Sequence, residues 1–132
     1  MLDPTPIFKA YDVRGLVPEQ FDAQLSQAMG GAWARLVQQK EPATTTVIVG
    51  RDMRPSGPEL VAAFTEGVTA QGLNVIDIGL CSTDMMYFAS GHLNLPGTVF
   101  TASHNPAGYN GIKFCLSAAR PVALDTGLDQ VR

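Results

Sequence analysis

Residues 46–79 read TVIVGRDMRPSGPELVAAFTEGVTAQGLNVIDIG, and this stretch decides the fold class. Residues 46–50, TVIVG, form a short β-branched apolar run, the pattern of a buried strand. The loop RDMRPSG follows. Ser56 then stands where a helix N-cap is wanted, and Pro58 suits a first helical turn. Leu60, Val61, Phe64 and Val68 make one helical stripe, and Gly72 marks its stop. Residues 73–79, LNVIDIG, are the next strand. Strand, helix and strand in this order predict a βαβ crossover joining parallel neighbours.

The flanks extend the same pattern. Residues 7–15, IFKAYDVRG, read as a strand or extended piece running into a loop, closed by Gly15 and Pro18. Across residues 22–40, Leu25, Met29, Trp33, Leu36 and Val37 recur at spacings of three and four, predicting an amphipathic helix. Gly30 and Gly31 each weaken that helix by about 1 kcal/mol relative to Ala, unless they let it lie close against the sheet. Residues 82–91 predict a short helix and residues 98–102 a strand. Residues 112–117 predict the last strand, with Ile112, Phe114 and Leu116 on one face and Lys113, Cys115 and Ser117 on the other. Pairing of these last two strands as a hairpin makes the sheet mixed. The tail, 118–132, has Pro121 and then DTGLDQVR, the expected start of another helix. The expectation is one α/β domain over 1–132: a layered, mixed β-sheet flanked by helices.

Composition narrows the function classes. The 132 residues carry 9 Lys plus Arg against 12 Asp plus Glu, a net charge of −3, with 45% hydrophobic residues. That is the composition of a chain with a packed core, not a disordered one. The basic residues are few and scattered, so no nucleic-acid partner is expected. No apolar run is long enough to span a bilayer, so no membrane partner is expected either. The opening MLDPTPIFKAYD lacks the basic and apolar regions of a secretory signal. Cys81 and Cys115 are far apart and belong to no CxxC pair, so they read as two reduced thiols in a cytoplasmic protein.

The stretch that carries chemistry is 101–113, TASHNPAGYNGIK. Pro106 pushes Asn105 toward an extended conformation. Gly108 and Gly111 permit positive φ, and Asn110-Gly111 is a turn signal. Ser103 is thereby expected at a strand end, ringed in sequence by the His104 ring, the Asn105 amide and backbone N–H groups, with Lys113 returning on the next strand. Such an arrangement suits an anion at Ser103. Asn-Gly turns near Ser and His also occur in hairpins without chemistry, so a purely structural loop stays open at this point. A serine hydrolase ranks far behind, since there is no GxSxG elbow and no base in triad position.

Taken whole, TASHNPAGYNGIK resembles the phosphoserine loop of the α-D-phosphohexomutase family, which includes phosphomannomutase and phosphoglucomutase. IFKAYDVRG resembles that family's N-terminal FxxYDxRG signature, and VGRDMRPSGPEL at 49–60 resembles its GxDxRxSG segment. The three motifs occur in the family's order and span most of the chain. The resemblance implies a domain-I type fold and a phosphoryl-transfer reaction. In such enzymes a phosphorylated serine gives its phosphate to a sugar monophosphate, the bisphosphate intermediate turns over, and the other phosphate returns to the serine.

By position, the resemblance makes Ser103 the phosphorylated residue and, through its phosphate, a Mg²⁺ ligand. Lys113 becomes the candidate for proton transfer with the sugar hydroxyl. Arg14 becomes a phosphate clamp, because it keeps its charge. His104 becomes a donor to phosphate or substrate oxygen, with Tyr11 in the same wall. Asn105, Pro106, Asn110 and Gly111 shape the loop. Arg51, Asp52 and Arg54 read equally well as an ion-pair network bracing it. Hexose 1,6-bisphosphate is the implied activator, a sugar phosphate the implied substrate.

The family's DGDGDR-like Mg²⁺ loop, its GExSGH-like sugar loop and its C-terminal phosphate-binding domain have no counterpart in this sequence. The chain is therefore expected to match the first domain only, to be inactive alone, and to have the remaining domains of a parent enzyme as partners. Self-association through an exposed domain face is expected when those neighbours are missing. A reading from another class is a stand-alone phosphate-binding or interaction module that kept the fold without catalysis. Elsewhere, His92 reads as a surface helix-end residue, Trp33 as core, and Met85, Met86, Tyr87 and Phe88 as ordinary packing. Cys115 shares a face with Lys113 but has no His partner, so it is not expected to be a nucleophile.

Overall fold

The computed structural model describes residues 1–131. Its elements in chain order are β1 (Val13–Leu16), α1 (Ala23–Lys40), β2 (Thr46–Arg51), α2 (Gly57–Ala70), β3 (Asn74–Leu80), α3 (Thr83–Leu93), β4 (Gly97–Phe100), β5 (Tyr109–Leu116), β6 (Arg120–Pro121) and α4 (Leu128–Val131). The strands form one sheet in the order β1-β5-β4-β2-β3. β2 pairs in parallel with both β3 and β4, as the crossover predicts. β4 and β5 are antiparallel, so the sheet is mixed. β6 joins β5 on the same edge as β1, further along the strand.

Two of the helices, α1 and α3, begin at a side-chain cap. Asp22 Oδ1 accepts from the Leu25 N–H at 2.9 Å and starts α1. Ser82 Oγ accepts from the Met85 N–H at 3.1 Å and starts α3. Ser56 precedes α2 but makes no capping bond with its side chain. Its Oγ instead accepts from Asn110 Nδ2 at 2.8 Å, which ties the helix start to β5.

The larger core lies between the sheet and the α1/α2 layer. Trp33 of α1 meets Phe114 of β5 at a centroid distance of 4.8 Å, and Phe64 of α2 meets Phe100 of β4 edge-on at 5.2 Å. Val47 and Val49 of β2 and Ile112 of β5 complete this face. The opposite face of the sheet is covered by α3, where Met86 packs on Val99 and Cys115. Of the apolar run 85–88, only Met86 is fully buried; Met85 is 55% and Phe88 72% exposed, so the expectation that all four pack is corrected. Tyr87 packs half-buried against the same cluster as Met86, and Met85 and Phe88, three residues apart, lie on the side of the helix turned to solvent.

The glycines of α1 serve helix-to-helix contact, not the helix-to-sheet contact anticipated from the sequence. A Cβ on Gly30 would lie 2.1 Å from the Phe64 carbonyl oxygen. Across the crossing, a Cβ on Gly67 would lie 2.0 Å from the Gln27 carbonyl oxygen. The two backbones thus touch through a pair of glycines. Ser26 Oγ donates to the Leu60 carbonyl at 2.7 Å beside them, satisfying a buried polar group inside the contact. The helical propensity lost at these glycines is offset by a crossing that lets both helices reach the sheet.

This close approach gives a direct stability prediction. Gly67→Ala places a methyl against backbone on two sides, since the Gly31 nitrogen also lies within 2.9 Å of the new Cβ. Backbone cannot yield as a side chain can, so the cost falls at the top of the overpacking range, about 3 kcal/mol. Urea unfolding of wild type and variant checks it; equal midpoints and slopes would contradict the account.

Candidate active site

The site is assembled by the pairing of β1 with β5. In this antiparallel register Val13 faces Ile112, Arg14 faces Gly111 and Gly15 faces Asn110. A Cβ on Gly111 would lie 1.9 Å from the Val13 carbonyl oxygen, so only glycine admits the approach. Gly111 is thus needed for space. Among the described residues the positive-φ glycines are Gly72, Gly79 and Gly127, so the positive φ expected at Gly108 and Gly111 and the turn expected at Asn110-Gly111 are corrected; the turn lies one step earlier, at Ala107 and Gly108, where the Tyr109 N–H donates to the Pro106 carbonyl at 3.0 Å. Asn110 and Gly111 lie inside β5, whose ladder bonds to β1 outweigh the local turn preference.

The pairing brings three charges together. Asp12, with its side chain 2% exposed, receives Arg14 Nε on Oδ1 at 3.1 Å and Lys113 Nζ on Oδ2 at 2.8 Å. Arg14 Nη1 continues to Asn105 Oδ1 at 3.0 Å. One buried carboxylate therefore orients two cations, and one of them reaches the Ser103 loop. Asp12 lies inside the YDVRG string, and no local pattern links it to Lys113, 101 residues away.

The loop leaves β4 and returns as β5. Ser103 carries a positive φ of 55°. For a residue with a Cβ this left-handed conformation costs about 1–2 kcal/mol, and local bonds hold it. The Ser103 N–H donates to Thr101 Oγ1 at 3.0 Å, and the Asn105 N–H donates to the Ala102 carbonyl at 3.0 Å. Arg54 donates to the carbonyls of Pro106 (2.7 Å) and Tyr109 (3.0 Å) through Nη1, and to those of Ser103 (3.0 Å) and Asn105 (2.8 Å) through Nη2. Its Nε pairs with Asp52 Oδ2 at 3.3 Å. The network anticipated for Asp52 and Arg54 is present; Arg51 instead lays its aliphatic stem beside Gly57.

Ser103 and His104 are exposed at the loop tip. A cavity of about 290 Å³, lined by Asp52, Met53, Arg54, Pro55, Ser103, Asn105 and Ala107, opens next to them. Asn110 is buried, and its Oδ1 accepts the Gly111 N–H at 2.8 Å, so it shapes the strand start. Tyr11 stands 77% exposed beside Asp12, where a ligand could lie against its ring. A larger hollow of about 590 Å³ lies at the other end of the parallel strands, around Glu41, Thr45, Asn94 and Arg120. It contains none of the motif residues, and Glu41 is bonded to Ser117 and Arg120.

Burial pushes the Cys115 thiol above its ordinary pKa, and its sulfur packs 3.5 Å from Met86 Sδ. Burial likewise raises Cys81. Both thiols therefore stay protonated at neutral pH. Among the described residues no group of three or more His, Cys, Asp or Glu side chains could hold a metal ion, and no helix is long and apolar enough to cross a membrane.

The family described as phosphoglucomutase/phosphomannomutase, alpha/beta/alpha domain I, matches residues 5–129. A protein of Xanthomonas campestris pv. campestris named for phosphohexose mutases is 44% identical over 128 residues, 96% of this chain and 28% of its own length. A phosphomannomutase of Vibrio cholerae is 37% identical over 126 residues, 95% of this chain and 27% of its own length. The crystal structure of a phosphoglucomutase/phosphomannomutase family protein from Burkholderia thailandensis superposes with a TM-score of 0.86 at 34% identity, covering 99% of this chain and 30% of that one. The chain thus spans less than a third of the length of these relatives. A match over nearly all its residues, on a fold with the same layers, establishes that the chain belongs to the phosphoglucomutase/phosphomannomutase family as its α/β/α domain I.

Proposed function

We propose that this domain carries the phosphoserine of a phosphohexomutase, at Ser103, and exchanges a phosphoryl group with hexose 1- and 6-phosphates through a hexose 1,6-bisphosphate. The observation that carries this reading is the cluster of Arg14 and Lys113 about Asp12, joined through Asn105 to a loop that presents Ser103 to solvent. Arg14 and Lys113 against Asp12 leave one net positive charge beside that loop. A phosphoserine brings about −1.5 to −2 charges, so the cluster offsets part of it.

In the transfer step a sugar hydroxyl oxygen bonds to phosphorus as the bond from phosphorus to Ser103 Oγ breaks. The hydroxyl proton must leave the sugar, and Ser103 Oγ must gain one. Lys113, held in place by Asp12 as the ammonium, is the residue proposed to give a proton to the departing Ser103 Oγ and to take the sugar hydroxyl proton in its place, so it ends the step in the form in which it began. Arg14 holds the non-transferring oxygens, and His104 donates to the phosphate from the loop tip. Positioning and charge do most of the work in such reactions.

The Mg²⁺ expected from the family would find one ligand here, the phosphate on Ser103. The carboxylates nearest the loop, Asp12 and Asp52, are committed to Lys113, Arg14 and Arg54. Hard cations need several oxygen ligands, so this chain does not fit the ion by itself. The rest of the set is assigned to other parts of a longer enzyme, and the chain alone is assigned negligible turnover.

A domain exchange tests the reading. This chain replaces the matching segment of the Xanthomonas relative, and interconversion of mannose and glucose 1- and 6-phosphates is measured with Mg²⁺ and bisphosphate. The chimera is expected to turn over and to carry one phosphate on Ser103 by mass spectrometry. Ser103→Ala should lose more than about 10³-fold in kcat, and the chain alone should give no measurable rate. A folded chimera that binds sugar phosphate without turnover would instead favour a phosphate-binding module.

A further inference from the structure

We propose that Arg54 is a positioning residue, a clamp that presets the Ser103 loop in its transfer-ready shape within this domain alone, before substrate or any other part of a longer enzyme is present. The reactive half of this statement rests on the function proposed for Ser103. The structural half does not.

A guanidinium has five N–H groups in a rigid plane. Arg54 uses two on Pro106 and Tyr109, two on Ser103 and Asn105, and the fifth on Asp52. Every donor is engaged, and the side chain is only 10% exposed. Four backbone carbonyls from one short loop converge on this cation. Carbonyl dipoles aimed at a common point repel one another, so without the charge between them they would rotate toward water. The loop's shape therefore depends on the cation.

The clamp acts on the reacting residue itself. Arg54 holds the Ser103 carbonyl while Thr101 Oγ1 holds the Ser103 N–H, fixing both sides of a residue at φ 55°. That pair of anchors sets the direction in which Oγ leaves the loop. With all its donors engaged, Arg54 is not available to bind phosphate, which leaves that task to Arg14. Asp52 in turn fixes Arg54, accepting its backbone N–H on Oδ1 at 3.1 Å and its Nε on Oδ2. Lysine cannot substitute, because three donors on a point charge do not span four carbonyls in a plane.

Amide hydrogen exchange on this chain is the test, comparing wild type with Arg54→Ala and Arg54→Lys. Wild type is expected to protect the Asn105 and Tyr109 amides. Both variants should lose that protection by about 10- to 100-fold, while amides in α1 and β2 change less than the loop. Added ethylguanidinium, at concentrations that leave α1 protection intact, should restore the loop in Arg54→Ala; an equal concentration of potassium chloride should not. In the chimera, Arg54→Ala should lower kcat with little change in KM. Unchanged loop protection in both variants would overturn the proposal. So would equal loss of loop and core protection, or failure of both variants to fold, because Arg54 would then support the whole domain. An inactive wild-type chimera with the exchange result intact would overturn the function of Ser103 and leave the clamp standing.

Discussion

Everything at this site depends on two strands from opposite ends of the chain meeting across a glycine. β1 lies beside β5 only because Gly111 has no side chain to strike the Val13 carbonyl. The contact supplies the neighbours of Lys113. Without it Asp12 and Arg14 would belong to a loose N-terminal segment, and Lys113 would stand alone on an edge strand. With it, a buried carboxylate fixes two cations in one place. The desolvation of Asp12 is offset by its two partners, both of which keep partial contact with water.

The rest of the fold makes that edge rigid. α1 and α2 press against each other through Gly30 and Gly67, so both reach the sheet and bury the aromatic cluster of Trp33, Phe64, Phe100 and Phe114. β4 and β5, which carry two of these rings, are thereby held still where the Ser103 loop leaves and returns. Arg54, at the end of β2, then fastens the loop to the parallel half of the sheet. Three strand ends thus converge on one short segment. Precise placement of a reacting group is best supplied by such rigid elements.

Much of the fold was legible in the sequence because its elements have strong periods and punctuation. The βαβ crossover, the long first helix and the pairing of the last two strands follow from apolar spacing, Pro58 and Gly72. The contacts of the site were less legible, for physical reasons. Asn110-Gly111 has the local preference of a turn, but the ladder to β1 claims it for β5. Gly30 shows its cost to a helix, whereas its use depends on Phe64 across a crossing that no local pattern encodes. Asp12 looks like any surface acid until Lys113 is brought to it. Met85 and Phe88 look like core and lie in solvent, since apolar character does not say which side of a short helix meets a sheet. The role of Arg54 was half visible: a brace was expected, but not a cation holding four carbonyls.

The central claim is that β1, the Ser103 loop and β5 form one anion site. Titration of the chain with inorganic phosphate, followed residue by residue in amide NMR spectra, tests it most directly. The account predicts saturable shifts confined to the amides of Asp12, Val13 and Arg14, the loop from Ser103 to Tyr109, and Lys113, with the shifts abolished in a Lys113→Ala, Arg14→Ala double variant that keeps the wild-type fold. Shifts centred on the hollow around Glu41 and Arg120, or no shifts at the loop, would contradict it.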